Sequence, residues 1–342
     1  MAGFVFATCA LGLERFLKEE VSRARPALRL AFSRPGLVTW KSDAEIAPDI
    51  ELGAAFARVW GMTAGRASDA GQAAALAAAM LSGIRTTATA RLHVFARDPA
   101  ADGADGAVAE TKAALTTALG DRVAASPAAP GDVVLDIIVA PGEPIVVGAH
   151  RHRRGRGCEP GGVVAAEVPP DAPSRAYGKI LEAIAWAELE LRPGDVAVEI
   201  GSAPGGAALA LVRRGVTVWG IDTGAMDPAV LAERGPAGAC VHHLPIKVGA
   251  LRWEELPPRV DWLLVDVNLA PQVAIHSVRR LMPRLRPSLR GAVLTLKMNE
   301  LAFVRELPAI LDRIRDLGFA DVAATHLPSN RQELCAVAHT PS

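Results

Sequence analysis

Three apolar runs in this 342-residue chain end in residues that can bind or react. Val198-Glu199-Ile200-Gly201-Ser202-Ala203-Pro204-Gly205-Gly206 leads from a buried-strand pattern directly into helical text. A strand that ends in a Gly-rich turn and opens a helix aims backbone N–H groups at a ligand on the carboxyl edge of a sheet. Gly201 lets the chain turn sharply, while Gly205 and Gly206 let the backbone approach a ligand with no Cβ in the way. Ser202, Ala203 and Pro204 complete the candidate cofactor loop. The same text would also serve a plain strand-to-helix turn. It is not the GxGxxG dinucleotide spacing, and Pro204 suits a nicotinamide cofactor poorly. Asp222 ends the next strand pattern, where a carboxylate can accept both hydroxyls of a ribose; a helix N-cap is its other reading. Loop and acid together favour a nucleoside-bearing ligand. Asp266 closes the apolar text at 262–265, and Lys297 closes that at 292–296. Both emerge at the same carboxyl edge as the loop. Lysines are rarely buried without a partner, so one that ends a buried strand is either functional or snorkels to solvent.

The elements that must position these residues follow from periodicity. Strands at 196–200, 217–221, 262–267 and 292–296 alternate with helices at 207–214, 271–285 and 301–317, and a hairpin pairs 322–326 with 334–338. That rhythm predicts an α/β fold, a doubly wound, mostly parallel sheet with an antiparallel last strand. The first half mixes strands at 4–8, 37–40 and 91–96 and a hairpin at 133–139 and 145–148 with helices at 12–21, 54–60, 72–81 and 110–119. It reads as an α+β region without a catalytic cluster. Between the halves stands His150-Arg151-His152-Arg153-Arg154-Gly155-Arg156-Gly157 in Gly/Pro-rich text. The expected division is residues 1–150, a basic linker at 151–172, and 173–342.

Composition narrows the class. Formal net charge is zero, which argues against a uniformly basic nucleic-acid binder but leaves room for a local patch. Cys9, Cys158, Cys240 and Cys335 are scattered without CxxC spacing, as expected of reduced thiols rather than a disulfide or zinc scaffold. Adjacent His242 and His243 would point to opposite faces of a strand, so no metal is expected. The first residues lack a signal-peptide pattern and no long apolar run occurs, which predicts a cytoplasmic protein with no membrane partner. One tyrosine and few aromatics argue against an extensive base-stacking platform.

Pro173-Ser174-Arg175-Ala176-Tyr177-Gly178-Lys179-Ile180-Leu181-Glu182-Ala183, the Gly201–Gly206 loop, and Ile221-Asp222-Thr223-Gly224-Ala225-Met226 resemble the FtsJ-like ribose 2′-O-methyltransferases. The nearest group is the one acting on bacterial large-subunit ribosomal RNA, the methyltransferase M group. The resemblance extends over nearly the whole chain, more weakly in the first half. It implies a Rossmann-like domain binding S-adenosyl-L-methionine, preceded by a THUMP-like RNA-binding region. It further implies 2′-O-methylation of a ribose, a cytidine in that group; a chain with its own substrate-binding region is expected to work as a monomer. The family's Lys-Asp-Lys-Glu tetrad falls on Lys179, Asp266, Lys297 and Glu333, and Ser174 falls on a cofactor-contacting position that is equally a routine N-cap.

The chemistry such a set performs is removal of one proton from a ribose hydroxyl held in line with an electrophilic methyl. Free lysine, with a pKa of about 10.4, is protonated at neutral pH. A second lysine and partial desolvation would lower that value, so Lys297 is expected to be a general base with a lowered pKa. Lys179 would lower it, while Asp266 and Glu333 would hold the ammonium groups; Asp266 would also lie near the cofactor's amine. Beside an RNA-directed domain, Arg151, Arg153, Arg154 and Arg156 are expected to touch phosphates, although charge runs are often only solvated. The family's adenine-reading acid is missing, since His242-His243-Leu244-Pro245 stands there, and Ala207-Ala208 replaces its aromatic. A small-molecule or peptide methyltransferase and a non-catalytic RNA-binding protein are the competing readings.

Overall fold

The computed structural model describes residues 3–84, 89–153, 155–164 and 166–341. The chain divides into two compact units, Met1–Val164 and Ala165–Ser342.

The first unit comprises β1 (Gly3–Thr8), α1 (Glu14–Ala24), β2 (Arg29–Arg34), β3 (Leu37–Ser42), β4 (Trp60–Ala67), α2 (Ala70–Gly83) and β5 (Ala90–Ala96). It continues through α3 (Ala104–Leu119), β6 (Val123–Ala124), β7 (Val133–Val139) and β8 (Ile145–Arg151). Its strands form one sheet in the order β2-β3-β1-β4-β8-β7-β5-β6, antiparallel except where β5 pairs with β6 and β7. Helix α1 buries Phe16, Leu17 and Val21 at helical spacing. Helix α2 starts where the Asp69 carboxylate accepts the Gln72 N–H at 2.9 Å.

The helix expected at 54–60 does not form. Trp60 instead begins β4, which pairs with β1 and β8, and Gly61 lies so close to the Ala149 backbone that a Cβ would sit 2.2 Å from its carbonyl oxygen. Strand pairing overrides local helical spacing here, with Phe56 packed on Phe16 at 5.2 Å between ring centroids. One face of β5, β7 and β8 carries His93 opposite Asp136 and, diagonal to Asp136, His150, all buried, with His152 just beyond.

The second unit contains α4 (Ala176–Trp186), β9 (Val196–Ile200), α5 (Gly206–Val212), β10 (Thr217–Ile221), α6 (Pro228–Ala232), β11 (Val241–Leu244) and β12 (Trp262–Val265). It ends with α7 (Pro271–Arg279), α8 (Met282–Leu285), β13 (Gly291–Lys297), α9 (Leu301–Arg315), β14 (Asp321–Thr325) and β15 (Glu333–His339). The order is β11-β10-β9-β12-β13-β15-β14, parallel from β11 to β13 and antiparallel at β15. This is the doubly wound sheet with an antiparallel last strand that the sequence predicts. The single helix expected at 271–285 is two, because Pro283 has no N–H to give and its ring opposes the carbonyl of Arg279.

The chain runs outward from β9 through β10 to β11, then returns to lay β12 on the other flank of β9. Open α/β sheets bind ligands at such a switch point, beyond the carboxyl ends of the strands. Because β15 runs antiparallel, its first residue lies at that edge, and Glu333 is the register partner of Lys297.

Candidate active site

Four charged side chains meet at the switch point. Lys297 ends β13, Glu333 starts β15, Asp266 directly follows β12, and Lys179 reaches over from the second turn of α4. Lys297 Nζ donates to Glu333 Oε2 at 2.6 Å and lies 3.5 Å from Asp266 Oδ1. Lys179 Nζ lies 3.4 Å from Asp266 Oδ2 and pairs with Glu333 Oε1. Cations and anions therefore alternate around a closed, formally neutral ring. Burying such a set is tolerable only when every charge faces an opposite one.

The electrostatics correct one expectation. Burial works against the Lys297 ammonium, but its hydrogen bond to Glu333 and the nearby Asp266 carboxylate outweigh it and hold its pKa above the ordinary lysine value. The expected lowering by Lys179 is absent because each lysine lies between two carboxylates. Glu333 responds in the opposite sense. Burial pushes it up, yet hydrogen bonds from Lys179 and Lys297 bring it below the usual carboxylate range.

The Gly-rich loop has the close approaches that its glycines imply. Gly201 has a φ of +85°, and a Cβ there would lie 2.2 Å from the Asp266 carbonyl oxygen. A Cβ on Gly206 would lie 2.2 Å from Ser174 Oγ, so Ser174 sits directly against the loop. Gly205 (φ +110°) faces Met226. Asp222, at the tip of β10, accepts the Ala203 N–H at 3.1 Å and the Gly224 N–H at 2.8 Å. A carboxylate offers about four lone-pair sites, so capacity for a diol is left. The Pro204 carbonyl oxygen accepts the Asp227 N–H at 3.0 Å. Ser202 is turned inward, its hydroxyl donating to Glu199 Oε2 at 2.8 Å.

Glu199 is the residue that sequence reasoning passed over. It stands fully buried inside β9, and burial, with the Asp266 and Asp222 charges adding to it against the Ser202 hydrogen bond, pushes its pKa up to about 8. It lines a small cavity with Lys179, Asp266, Asn330 and Cys335. A lone acid within an otherwise apolar strand was the available signal. Burial pushes the Cys335 thiol up to about 12, so it stays protonated and is no nucleophile. Glu182, one turn beyond Lys179 on α4, accepts from the Ser329 N–H at 2.9 Å and its hydroxyl at 2.6 Å. That clamp ties the segment before Glu333 to the helix that carries Lys179.

His243, in the stretch lacking an adenine-reading acid, has Nε2 3.1 Å from the Asp222 carbonyl oxygen. His242 stacks on Trp219 at 4.5 Å between centroids. Among the described residues no group of three or more His, Cys, Asp or Glu is placed to hold a metal ion, and no helix is long and apolar enough to cross a membrane.

The basic segment belongs to the first unit. Arg151 ends β8 and donates to the Gly131 carbonyl at 2.9 Å, while Arg153 pairs with Glu51 at 3.1 Å. Arg156 is buried, with its guanidinium 3.7 Å from the Trp60 ring centroid and Nη2 3.1 Å from Glu51 Oε1. Arg154 lies outside the described residues.

No protein-family model matches the chain. Among curated proteins, the ribosomal RNA large subunit methyltransferase M of Halorhodospira halophila is 34% identical over 186 residues, 52% of this chain and 50% of that protein. Its counterpart in Thauera aminoaromatica is 30% identical over 185 residues, 52% of this chain and 49% of the relative. The chain thus spans about half the length of the curated relatives it matches. Among solved structures, TrmN from Thermus thermophilus is 18% identical with a TM-score of 0.38, covering 99% of this chain and all of that one.

Proposed function

We propose that this chain is an S-adenosyl-L-methionine-dependent RNA methyltransferase that modifies a ribose 2′-hydroxyl, a cytidine of large-subunit ribosomal RNA, in the cytoplasm. The observation that carries the reading is the alternating Lys179–Asp266–Lys297–Glu333 ring at the sheet's switch point, beside a glycine loop and a strand-tip acid. The similarity to methyltransferase M relatives supports the same choice of substrate.

The residues present suit the cofactor. Gly201, Gly205 and Gly206 let the loop pack tightly on Asp266, Met226 and Ser174 at the end of β9, where a Cβ would clash, and Asp222 retains acceptor capacity for the ribose diol. Ser174 and Asp266 thus border the loop. When bound, the cofactor supplies an electrophilic sulfonium methyl. The chain's own contribution is to align the acceptor hydroxyl with that methyl and to take its proton. Lys297 Nζ is the acceptor of that proton. Because two carboxylates hold Nζ charged, it must first release its own proton, and turnover climbs with pH through neutrality and beyond. Lys179 bridges Asp266 and Glu333 and offsets their charge, so Lys297 shares both carboxylates with a second cation. The first unit serves as the THUMP-type RNA-binding region.

The test is transfer of labelled methyl groups from S-adenosyl-L-methionine to total RNA from a strain lacking the gene. Recovery of label as 2′-O-methylcytidine in large-subunit RNA is the expected result. Cofactor binding without any transfer to RNA would overturn the assignment and favour a small-molecule or peptide acceptor.

A further inference from the structure

The first unit carries an exposed sheet face that none of the chemistry above uses. Strand β2 is an edge strand, followed inward by β3 and β1. Register places Phe4, Lys41 and Arg29 in one row across these strands, and Phe6, Thr39 and Phe32 in the next. Both rows project from the same face. Phe6 is buried, but Phe4 is 41% exposed, and Lys41 and Arg29 are exposed beside it. In the second row the guanidinium of Arg34 lies 4.7 Å, and that of Arg66 5.3 Å, from the Phe32 ring centroid.

Two acids border the patch. Asp43 pairs with Arg29 at 2.5 Å, and Glu143 is engaged by Arg97 at 2.7 Å while lying 3.8 Å from Arg34. Arg29, Arg34, Lys41 and Arg66 against these two paired acids leave a positive surface on a chain whose net charge is zero. Edge strands commonly carry charge to deter pairing with another chain, but that purpose does not account for a phenylalanine left exposed on β1, two strands in from the edge. Flat aromatic rings and guanidinium planes on an open antiparallel sheet are the means by which unpaired bases are stacked, with the cations tracking the backbone.

We infer that this face, Phe4 and Phe32 framed by Arg29, Arg34, Lys41 and Arg66, binds single-stranded RNA. Phe4 offers an open ring to one base, and Phe32 holds the Arg34 and Arg66 planes for a neighbouring base or phosphate. The inference rests on the RNA reading above but concerns where the strand lies, not which atom is methylated.

The experiment measures binding of the whole chain to a fluorescent, unstructured pyrimidine RNA oligomer, with duplex RNA and polyglutamate as competitors. Phe4→Leu keeps apolar bulk and removes the ring; it is expected to weaken single-strand affinity about tenfold. A double variant, Arg34→Gln with Arg66→Gln, should flatten the salt dependence by about 0.7 in log–log slope for each phosphate that is no longer neutralised. Melting temperature and cofactor affinity report that the variants fold. Unchanged RNA affinity in both folded variants would overturn the surface, as would equal displacement by polyglutamate. If RNA is still methylated in that case, only the surface falls; if wild type neither binds nor methylates RNA, the reading of function falls with it.

Discussion

Each unit buries a cluster of titratable side chains, and the two clusters are satisfied in different ways. In the second unit, two lysines and two carboxylates alternate so that every charge has an opposite neighbour. In the first unit, the His150 Nδ1 and Asp136 Oδ2 pair at 2.6 Å is sealed in the sheet, while Asp136 Oδ1, His93 Nε2 and His152 Nδ1 are buried without hydrogen-bond partners among the described residues. Burial is the leading cause that lowers the His93 and His152 values, His152 to about 4, so both histidines stay neutral. Position makes the difference. Charges at the carboxyl edge of a parallel sheet keep access to a ligand and can exchange a proton, whereas the histidines and aspartate buried in the first unit's sheet face no such edge and fix the packing.

The contrast can be attacked from either side. Glu333→Ala removes a partner from both lysines at once. Methyl transfer should fall at least about a hundredfold, while equilibrium dialysis finds cofactor affinity within a few-fold of wild type. Asp136→Ala should leave cofactor affinity untouched yet cost about 2–3 kcal/mol in urea unfolding of the first unit, because His150 loses its buried partner. If Asp136→Ala instead abolished methyl transfer without any loss of stability, the distinction between the clusters would disappear.

Two pH effects of opposite sign refine it. Glu199 has a raised value, so its folded form keeps a proton that the unfolded chain releases, and stability falls as pH rises from about 4.5 to about 8. Glu199→Gln should remove that fall, gaining on the order of 2 kcal/mol relative to wild type between pH 5 and pH 8. His152 has a lowered value, so its contribution is complete above about pH 6.5 and is lost as pH falls toward 4. His152→Asn should flatten that acid-side loss by about 1 kcal/mol when unfolding midpoints at pH 7 and pH 5 are compared.

Much of the second unit was legible from the sequence. Asp266 and Lys297 each closed an apolar run, and the Gly201–Gly206 loop opened a helix, all local patterns. Lys179 and Glu333 were not readable locally. One lies in an ordinary helix and the other beside a turn, and only resemblance to a family singled them out before register placed Glu333 opposite Lys297. Glu199 escaped although a lone acid in an apolar strand was visible, because its environment depends on Ser202, Asp222 and Asp266 brought close by the fold, and the protonation of Lys297 escaped because it depends on distances to two carboxylates. In the first half, the His150–Arg156 run read as linker because basic Gly-rich text is usually solvated. Yet His150 and His152 alternate onto one sheet face, and Arg156 packs on Trp60, an arrangement set by strands distant in sequence. Strand β2 went unread for a related reason: it is a short, mostly exposed edge strand whose register shifts between Leu30 and Phe32, so its two-residue alternation buries no common face.

The mechanism stands or falls on Lys297 taking the proton from an RNA ribose hydroxyl. Single-turnover methyl transfer to RNA by wild type and Lys297→Ala, each saturated with S-adenosyl-L-methionine, can be followed across pH 6 to 10. The wild-type rate should rise with pH over this range, and the variant should be slowed at least about a hundredfold with cofactor affinity intact. A variant that turned over at near wild-type rate with the same pH profile would show that Lys297 is not the base.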